Sequence, residues 1–309
     1  MEVTNSLLLL SFLGLISLLK LSLPILHWLY ATFLRPAKDL KRAYGAWAVV
    51  TGATDGIGGA IAVELARRGM HLVLVGRSPA KLKKASDIIL AKFHDTHVKT
   101  VVWDLALGGD CGGAERLRQT IAGVEVGVLI NSAGVTYPGA AYFHEAEERV
   151  WREVVRVNVE GMSHVIQVVL PEMVSRRRGA VVNIGSASSV AVPSFPFYAV
   201  YAATKAYINQ FSRSLYVEYK RMGIDVQCQI PFYVATKMVS IEQPSTFIPS
   251  PDKFAKASVR CIGYEQLCTP YWSHAIQWGF ATLLPHFLLD AWRRRLGIRK
   301  RIQPIKTSL

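Results

Sequence analysis

The chain has 309 residues, enough for one α/β domain of ordinary size with segments left over at both ends. Hydrophobic residues make up 51% of it and its mean hydropathy is positive, so an apolar excess must be concentrated somewhere. Net charge is +14, and the four cysteines (Cys111, Cys228, Cys261, Cys268) form no CxxC pair or metal-spaced His/Cys cluster, which argues against a zinc site and for reduced thiols.

The apolar excess lies at the start. Ser6 to Leu34 is broken only by Lys20, His27 and a few hydroxyls, and exceeds the roughly 20 residues needed to cross a bilayer. A cleaved signal peptide would begin with basic residues, whereas this chain begins Met-Glu-Val-Thr-Asn, so a retained anchor is expected. Arg35, Lys38, Lys41 and Arg42 follow it, and positive flanks stay on the cytosolic side. Pro24 and Lys20 leave a kinked or hairpin-like anchor open beside a single span.

Next comes a strand, Trp47 to Val50, then Thr51-Gly52-Ala53-Thr54-Asp55-Gly56-Ile57-Gly58 and a helical pattern through Ala66. Glycines there let backbone approach a pyrophosphate, and a helix N-terminus favours its charge. The spacing is G-xxx-G-x-G rather than G-x-G-x-x-G, and alone it reads equally well as a tight turn. Further strands at Leu72–Val75, at Val101–Trp103 before Asp104, and at Gly127–Ile130 before Asn131-Ser132-Ala133-Gly134 make it a βαβ array. That alternation predicts a Rossmann-type, doubly wound parallel sheet. After the second strand stand Gly76 and Arg77 in place of an acidic residue; arginine suits a 2′-phosphate, so NADP(H) is the expected cofactor.

A fifth strand, Ala180 to Ile184, runs into Gly185-Ser186-Ala187-Ser188-Ser189, and a helix is predicted from about Tyr201 to Tyr219. Tyr201 and Lys205 are four apart and share a helix face. An ammonium favours phenolate, so the pair predicts a tyrosine that works as acid and base near neutrality. Asn158 falls on the helix between the fourth and fifth strands. A sixth strand, Val226 to Ile230, leads into Pro231-Phe232-Tyr233-Val234-Ala235-Thr236.

These segments, in this order, resemble the short-chain dehydrogenase/reductase family over roughly residues 45 to 240. The resemblance implies that Tyr201 protonates a carbonyl as hydride arrives. It implies that Lys205 binds the nicotinamide ribose, Ser186 orients the carbonyl and Asn158 holds a relay water. It further implies cofactor contacts from Gly52, Thr54, Asp55, Gly56, Ile57, Gly58, Arg77, Asp104, Asn131, Ala133, Gly134, Tyr201, Lys205, Val234 and Thr236. Ser132 replaces an asparagine of the family's pattern and Phe232 a glycine. The common spacing would select Ser188, thirteen residues before Tyr201, whereas the strand register selects Ser186, which is preferred here.

The stretches FPFYAVYAATK, QIPFYVATKM and CTPYWSHA further resemble the plant very-long-chain 3-oxoacyl-CoA reductases of the fatty acid elongase. That implies an acyl-CoA substrate, an endoplasmic reticulum membrane with the catalytic domain facing the cytosol, and other elongase subunits as partners. A 17β-hydroxysteroid dehydrogenase and a catalytically silent scaffold are the alternatives. Three regions are expected: an anchor with basic flank (1–45), the NADP-binding core (46–240), and a lid, apolar segment and basic tail (241–309). Trp272 to Trp292 reads either as a membrane-surface segment or as a core helix. Seven basic residues (Arg293, Arg294, Arg295, Arg299, Lys300, Arg301, Lys306) follow without an acid, suited to lipid headgroups or CoA phosphates, with no nucleic acid expected.

Overall fold

Most of the short strand runs are apolar on both faces, as strands covered by helices on two sides must be. The computed structural model describes residues 2–107, 112–239, 241 and 243–302; Cys111 and Lys306 lie outside them.

The first unit, Met1–Ala37, is built on helix α1 (Glu2–Leu29), which continues through a π-helical turn at Tyr30–Leu34. Pro24 sits inside the helix, so the chain does not fold back as a hairpin there. Leu7–Leu34 has mean hydropathy 2.1, none of it buried, and is long enough to cross a membrane.

The second unit begins at Lys38, not at 46 as expected. The short helix α2 (Leu40–Tyr44) buries Leu40 and Tyr44, and Lys38 Nζ donates to the Gly263 carbonyl at 2.6 Å. The supposed basic flank is thus partly a structural element. Alternating elements follow: β1 (Trp47–Thr51), α3 (Gly56–Arg67), β2 (His71–Gly76), α4 (Pro79–Lys92), β3 (Val98–Val102), α5 (Gly113–Ile121) and β4 (Val126–Asn131). Then come α6 (Glu148–Val155), a π-helical turn (Arg156–Gly161), α7 (Met162–Ser175), β5 (Gly179–Ile184), α8 (Ala199–Tyr219) and β6 (Ile224–Gln229). The chain closes with α9 (Pro251–Arg260), β7 (Leu267–Cys268), α10 (Trp272–Leu283) and α11 (His286–Ile302).

The strands form one parallel sheet in the order β3-β2-β1-β4-β5-β6-β7. The order reverses between β1 and β4, and a crevice opens there at the carboxyl ends of the strands. One face is covered by α3, α4 and α9, through Ile61, Leu65, Leu82, Ile89, Ala255 and Val259. The other is covered by α5, α7 and α8, through Leu117, Val165, Val169, Ile208 and Leu215. Each such aliphatic side chain contributes about 1.5–3 kcal/mol by leaving water. Described residues beyond 241 contribute to the core as well: α9 packs into it and β7 pairs with β6. Between β6 and α9 the described residues place Thr236 across from Gly56 and include a 3₁₀ turn at Lys237–Val239.

Candidate active site

The cofactor end is made by the β1–α3 turn. Gly52 has φ +65°, and a Cβ on Gly58 would strike the Gly52 carbonyl, so both positions need glycine. Thr51 Oγ1 accepts from the backbone N–H groups of Ser132 and Ala133, both at 3.1 Å, which joins the ends of β1 and β4. Asp55 caps α3 by accepting from Gly56 N at 2.8 Å, and pairs with Lys237 at 2.8 Å. The Lys237 ammonium, first among its influences, holds the Asp55 carboxyl below its usual range. Asp55 is thus engaged with protein on both sides. Ile57 packs against the core cluster under α3.

Thr54 lies close to Gly76, and Arg77 follows at the end of β2 with its guanidinium exposed, 3.7 Å from Glu153. Asp104 Oδ1 accepts from Ala106 N at 3.0 Å. Asn131 is buried, and its Nδ2 donates to Asn183 Oδ1 at 2.8 Å; Asn183 in turn donates to Ser212 Oγ at 2.9 Å. The Asn131 side chain therefore ties β4 to β5 and α8. Gly134 faces both Asn158 Oδ1 and Lys205 Nζ. Thr236 lies across from Gly56, and Val234 is buried. A glycine cradle, the N-terminus of α3 and an exposed arginine after the second strand fit a phosphorylated dinucleotide.

At the other end, α8 brings Tyr201 and Lys205 together: Lys205 Nζ lies 5.8 Å from the Tyr201 ring centroid. Lys205 is 6% exposed and donates to the Ile184 carbonyl at 2.9 Å. Burial brings its pKa down to about 8. The Tyr201 pKa moves the other way from the expectation: burial raises it, and the Ser186 hydroxyl offsets this only in part. The ammonium does not overcome the loss of hydration around the phenol, so Tyr201 is held as the protonated acid.

Ser186 faces that phenol and also accepts from Ser188 N at 3.1 Å and Ser188 Oγ at 2.9 Å. Ser188 is buried behind it, one hydrogen bond further from the tyrosine. Asn158 lies in the π-helical turn, with Oδ1 accepting from Val135 N at 2.9 Å. Its Nδ2 donates to the Val135 carbonyl and Thr204 Oγ1, each at 3.0 Å. Both Nδ2 hydrogens and one acceptor position of Oδ1 are thus engaged, and the Asn158 side chain clamps the loop after β4 to α8.

His274 was not anticipated. It is fully buried at the start of α10, with Nδ1 accepting from Phe232 N at 3.3 Å. Its Nε2, 3.2 Å from the Tyr233 carbonyl, must then carry the hydrogen. This ring holds the loop in which Phe232 replaces glycine. Burial pushes its pKa from 6.5 down to about 4. A base with a depressed folded-state pKa contributes its full stability above pH 6.5 and loses it as pH falls towards 4, here about 3 kcal/mol. Thermal midpoints measured across that range should fall more steeply for the parent than for His274→Gln. Parallel curves would show that the imidazole does not titrate this way. The signal was present in CTPYWSHA, but nothing local says that its histidine points inward.

The basic tail also differs from expectation. Arg293 is buried, and Arg301 pairs with Glu145 at 2.9 Å; Lys300 Nζ lies over the Tyr233 ring at 5.3 Å. Only Arg294, Arg295 and Arg299 of the described basic residues stand outward without a recorded partner. They share α11 with an inward face that the charge count concealed.

Comparison with known proteins agrees with this geometry. Residues 46–245 match the short chain dehydrogenase family. The chain is 48% identical to a very-long-chain 3-oxoacyl-CoA reductase-like protein of Arabidopsis thaliana, covering 94% of this chain and 93% of that one. It is 39% identical to the very-long-chain 3-oxoacyl-CoA reductase of Rattus norvegicus, over 79% and 77%. It is 40% identical to the inactive hydroxysteroid dehydrogenase-like protein 1 of Homo sapiens, over 81% and 76%. Among solved structures, a Sphingobium yanoikuyae short-chain dehydrogenase in complex with NADPH matches with TM-score 0.64 and 25% identity, over 85% of this chain and 98% of that one. A 7β-hydroxysteroid dehydrogenase matches in fold with TM-score 0.71 at 21% identity, over 84% and 100%. With a glycine cradle at one end of its crevice and a tyrosine–lysine–serine set at the other, this chain belongs to the short-chain dehydrogenase family.

Proposed function

We propose that this protein reduces very-long-chain 3-oxoacyl-CoA to 3-hydroxyacyl-CoA with NADPH, on the cytosolic side of the endoplasmic reticulum membrane. It is an NADP(H)-dependent oxidoreductase, and the cofactor supplies the hydride when bound. The observation that carries the reading is the convergence of Tyr201, Ser186 and Lys205 beside the glycine cradle. In it the Ser186 hydroxyl holds the carbonyl oxygen and Tyr201 gives that oxygen a proton. Lys205 supplies the positive field and meets the nicotinamide ribose. Gly52 to Gly58 and Ala133-Gly134 line the dinucleotide, Arg77 meets its 2′-phosphate, and Val234 and Thr236 face the nicotinamide amide. The acyl-CoA substrate rests on the reductase relatives at 39% and 48% identity. An inactive relative stands at 40%, yet a silent scaffold would have no use for a buried lysine set beside a tyrosine that faces a serine hydroxyl.

The membrane part of the proposal is supported by the apolar span and by the α10–α11 turn. There Phe280, Leu283, Leu284, Phe287 and Leu288 are exposed, Leu283 at 78%. A core helix would have buried them, so this turn is read as a surface that meets lipid. Washed membranes carrying the full chain should oxidise NADPH when given a long-chain 3-oxoacyl-CoA and should not do so with a steroid ketone. The activity should stay with the membranes through an alkaline carbonate wash. NADPH should outcompete NADH, and Arg77→Asp should narrow or reverse that preference by about 10- to 100-fold in kcat/KM. A steroid-only activity, or none, would reject the acyl-CoA reading.

A further inference from the structure

One charged group in the crevice has no task in the chemistry above. Arg293 is 7% exposed, and its Nε has no hydrogen-bond partner among the described residues. No carboxylate within ion-pair distance is recorded for it there. Its guanidinium lies 3.8 Å over the Phe195 ring, and Nη1 reaches Tyr233 Oη only at 3.5 Å. An arginine so desolvated costs several kcal/mol unless its remaining donors find an acceptor. Cation–π contacts with Phe195 and, at 5.5 Å, with Trp292 return about 2 kcal/mol or more but give the Nε donor no acceptor.

Its surroundings say where that acceptor comes from. Phe195 lies 6.4 Å from Tyr201 and 5.7 Å from Tyr198, ring to ring. Tyr233 precedes Val234 in the loop beside the nicotinamide end, and its phenol is near enough to Tyr201 to disfavour phenolate there. Arg293 therefore stands on the substrate side of the acid. Helix α11 is fixed in this position. Asp290 accepts from Ser194, Arg301 pairs with Glu145, and Gly297 lets the Phe197 ring sit directly on the helix. Phe197 itself has φ +70°, a conformation that costs a non-glycine residue about 1 kcal/mol or more. The contact with α11 thus holds a strained backbone in the wall on which Arg293 rests.

We infer that Arg293 donates to the thioester carbonyl of a 3-oxoacyl substrate while the 3-oxo oxygen lies against Tyr201 and Ser186. The inference rests on the acyl-CoA reading. A 3-oxoacyl thioester has two carbonyl oxygens separated by one methylene group, and the Tyr201–Ser186 pair satisfies one. The planar guanidinium, whose Nε has no partner among the described residues, is suited to the other. A ketone without the second oxygen leaves that donor unpaired, so the same group discriminates between substrates.

The test uses the detergent-solubilised full chain and three substrates of equal chain length. These are a 3-oxoacyl-CoA, its N-acetylcysteamine thioester, which lacks the CoA phosphates, and a 2-alkanone. Arg293→Met should lower kcat/KM on both thioesters by about 10- to 100-fold and leave the 2-alkanone within about twofold. NADPH affinity should be unchanged. Arg293→Lys, which keeps charge and length but not the fork, should lose activity in the same pattern to a smaller extent; it carries the test if the methionine variant does not bind NADPH. An equal loss on all three substrates, or no loss, overturns the inference in favour of a purely packing role. A loss confined to the CoA thioester also overturns it, because Arg293 would then meet a phosphate. A parent protein that reduces the 2-alkanone but neither thioester removes the acyl-CoA reading itself, and this inference with it.

Discussion

Tyr201→Phe should reduce the turnover number for carbonyl reduction by about 10²- to 10⁴-fold, the range of a lost general acid. NADPH should bind as before, because the ring remains and only the hydroxyl goes. The structure gives a reason to expect the upper part of that range. Burial holds the phenol protonated, and its hydroxyl faces the Ser186 oxygen where a carbonyl would be received. The Phe195 ring beside it, 6.4 Å from centroid to centroid, offers no proton in its place. Single-turnover NADPH oxidation separates this chemical step from product release, and a fluorescence titration gives the cofactor affinity. A variant with more than a tenth of parental turnover would remove Tyr201 as the proton donor.

Lys205→Met should abolish activity to a similar degree and yet leave the protein more stable. The sign follows from linkage. The Lys205 pKa is depressed from 10.5 to about 8, so the unfolded chain binds this proton more tightly than the folded one. The stability associated with a neutral amine is complete above pH 10.5 and is lost as pH falls through that window. At neutral pH a charged Lys205 therefore costs about 3 kcal/mol. Methionine fills the same volume without the charge, but strands the Ile184 carbonyl, which returns about 1–2 kcal/mol of the gain. A net rise of about 1–2 kcal/mol in unfolding free energy at pH 7, vanishing towards pH 10, is the expected outcome. Reduction by the parent should also decline as pH rises through about 8, where the ammonium loses its proton. A methionine variant that is destabilised at pH 7 would show that the lysine is paired in the folded protein rather than merely buried.

Much of the sheet was legible in the chain because its signals are local. Strands β1, β2, β4 and β5 are rich in Val, Leu and Ile and end at Gly or Asn or just before Gly, and Tyr201 and Lys205 declare themselves by helical spacing. The seventh strand is two residues long and leaves no periodicity to read. What escaped notice depends on contacts between distant segments. His274 is defined by Phe232 and Tyr233, forty residues earlier in the chain, and Arg293 by Phe195. Counted by composition, Arg293 belonged to a basic tail; only the packing of α11 turns it inward. Asn158 was visible as a residue, but its clamp on Val135 and Thr204 was not. The Tyr201 pKa ran opposite to the pairing rule because desolvation, a property of the whole crevice, outweighed one neighbouring charge.

The helix α11 separates two properties that one segment could have carried together. The proposed acid, its lysine and its serine lie between Ile184 and Thr236, whereas Arg293 reaches them from α11. That helix is held by the hydrogen bond from Ser194 to Asp290, the ion pair of Arg301 with Glu145 and the contact of Gly297 with Phe197. Changes on its inward face then leave sheet, cradle and acid in place, so selectivity is free to drift while the reaction stays the same.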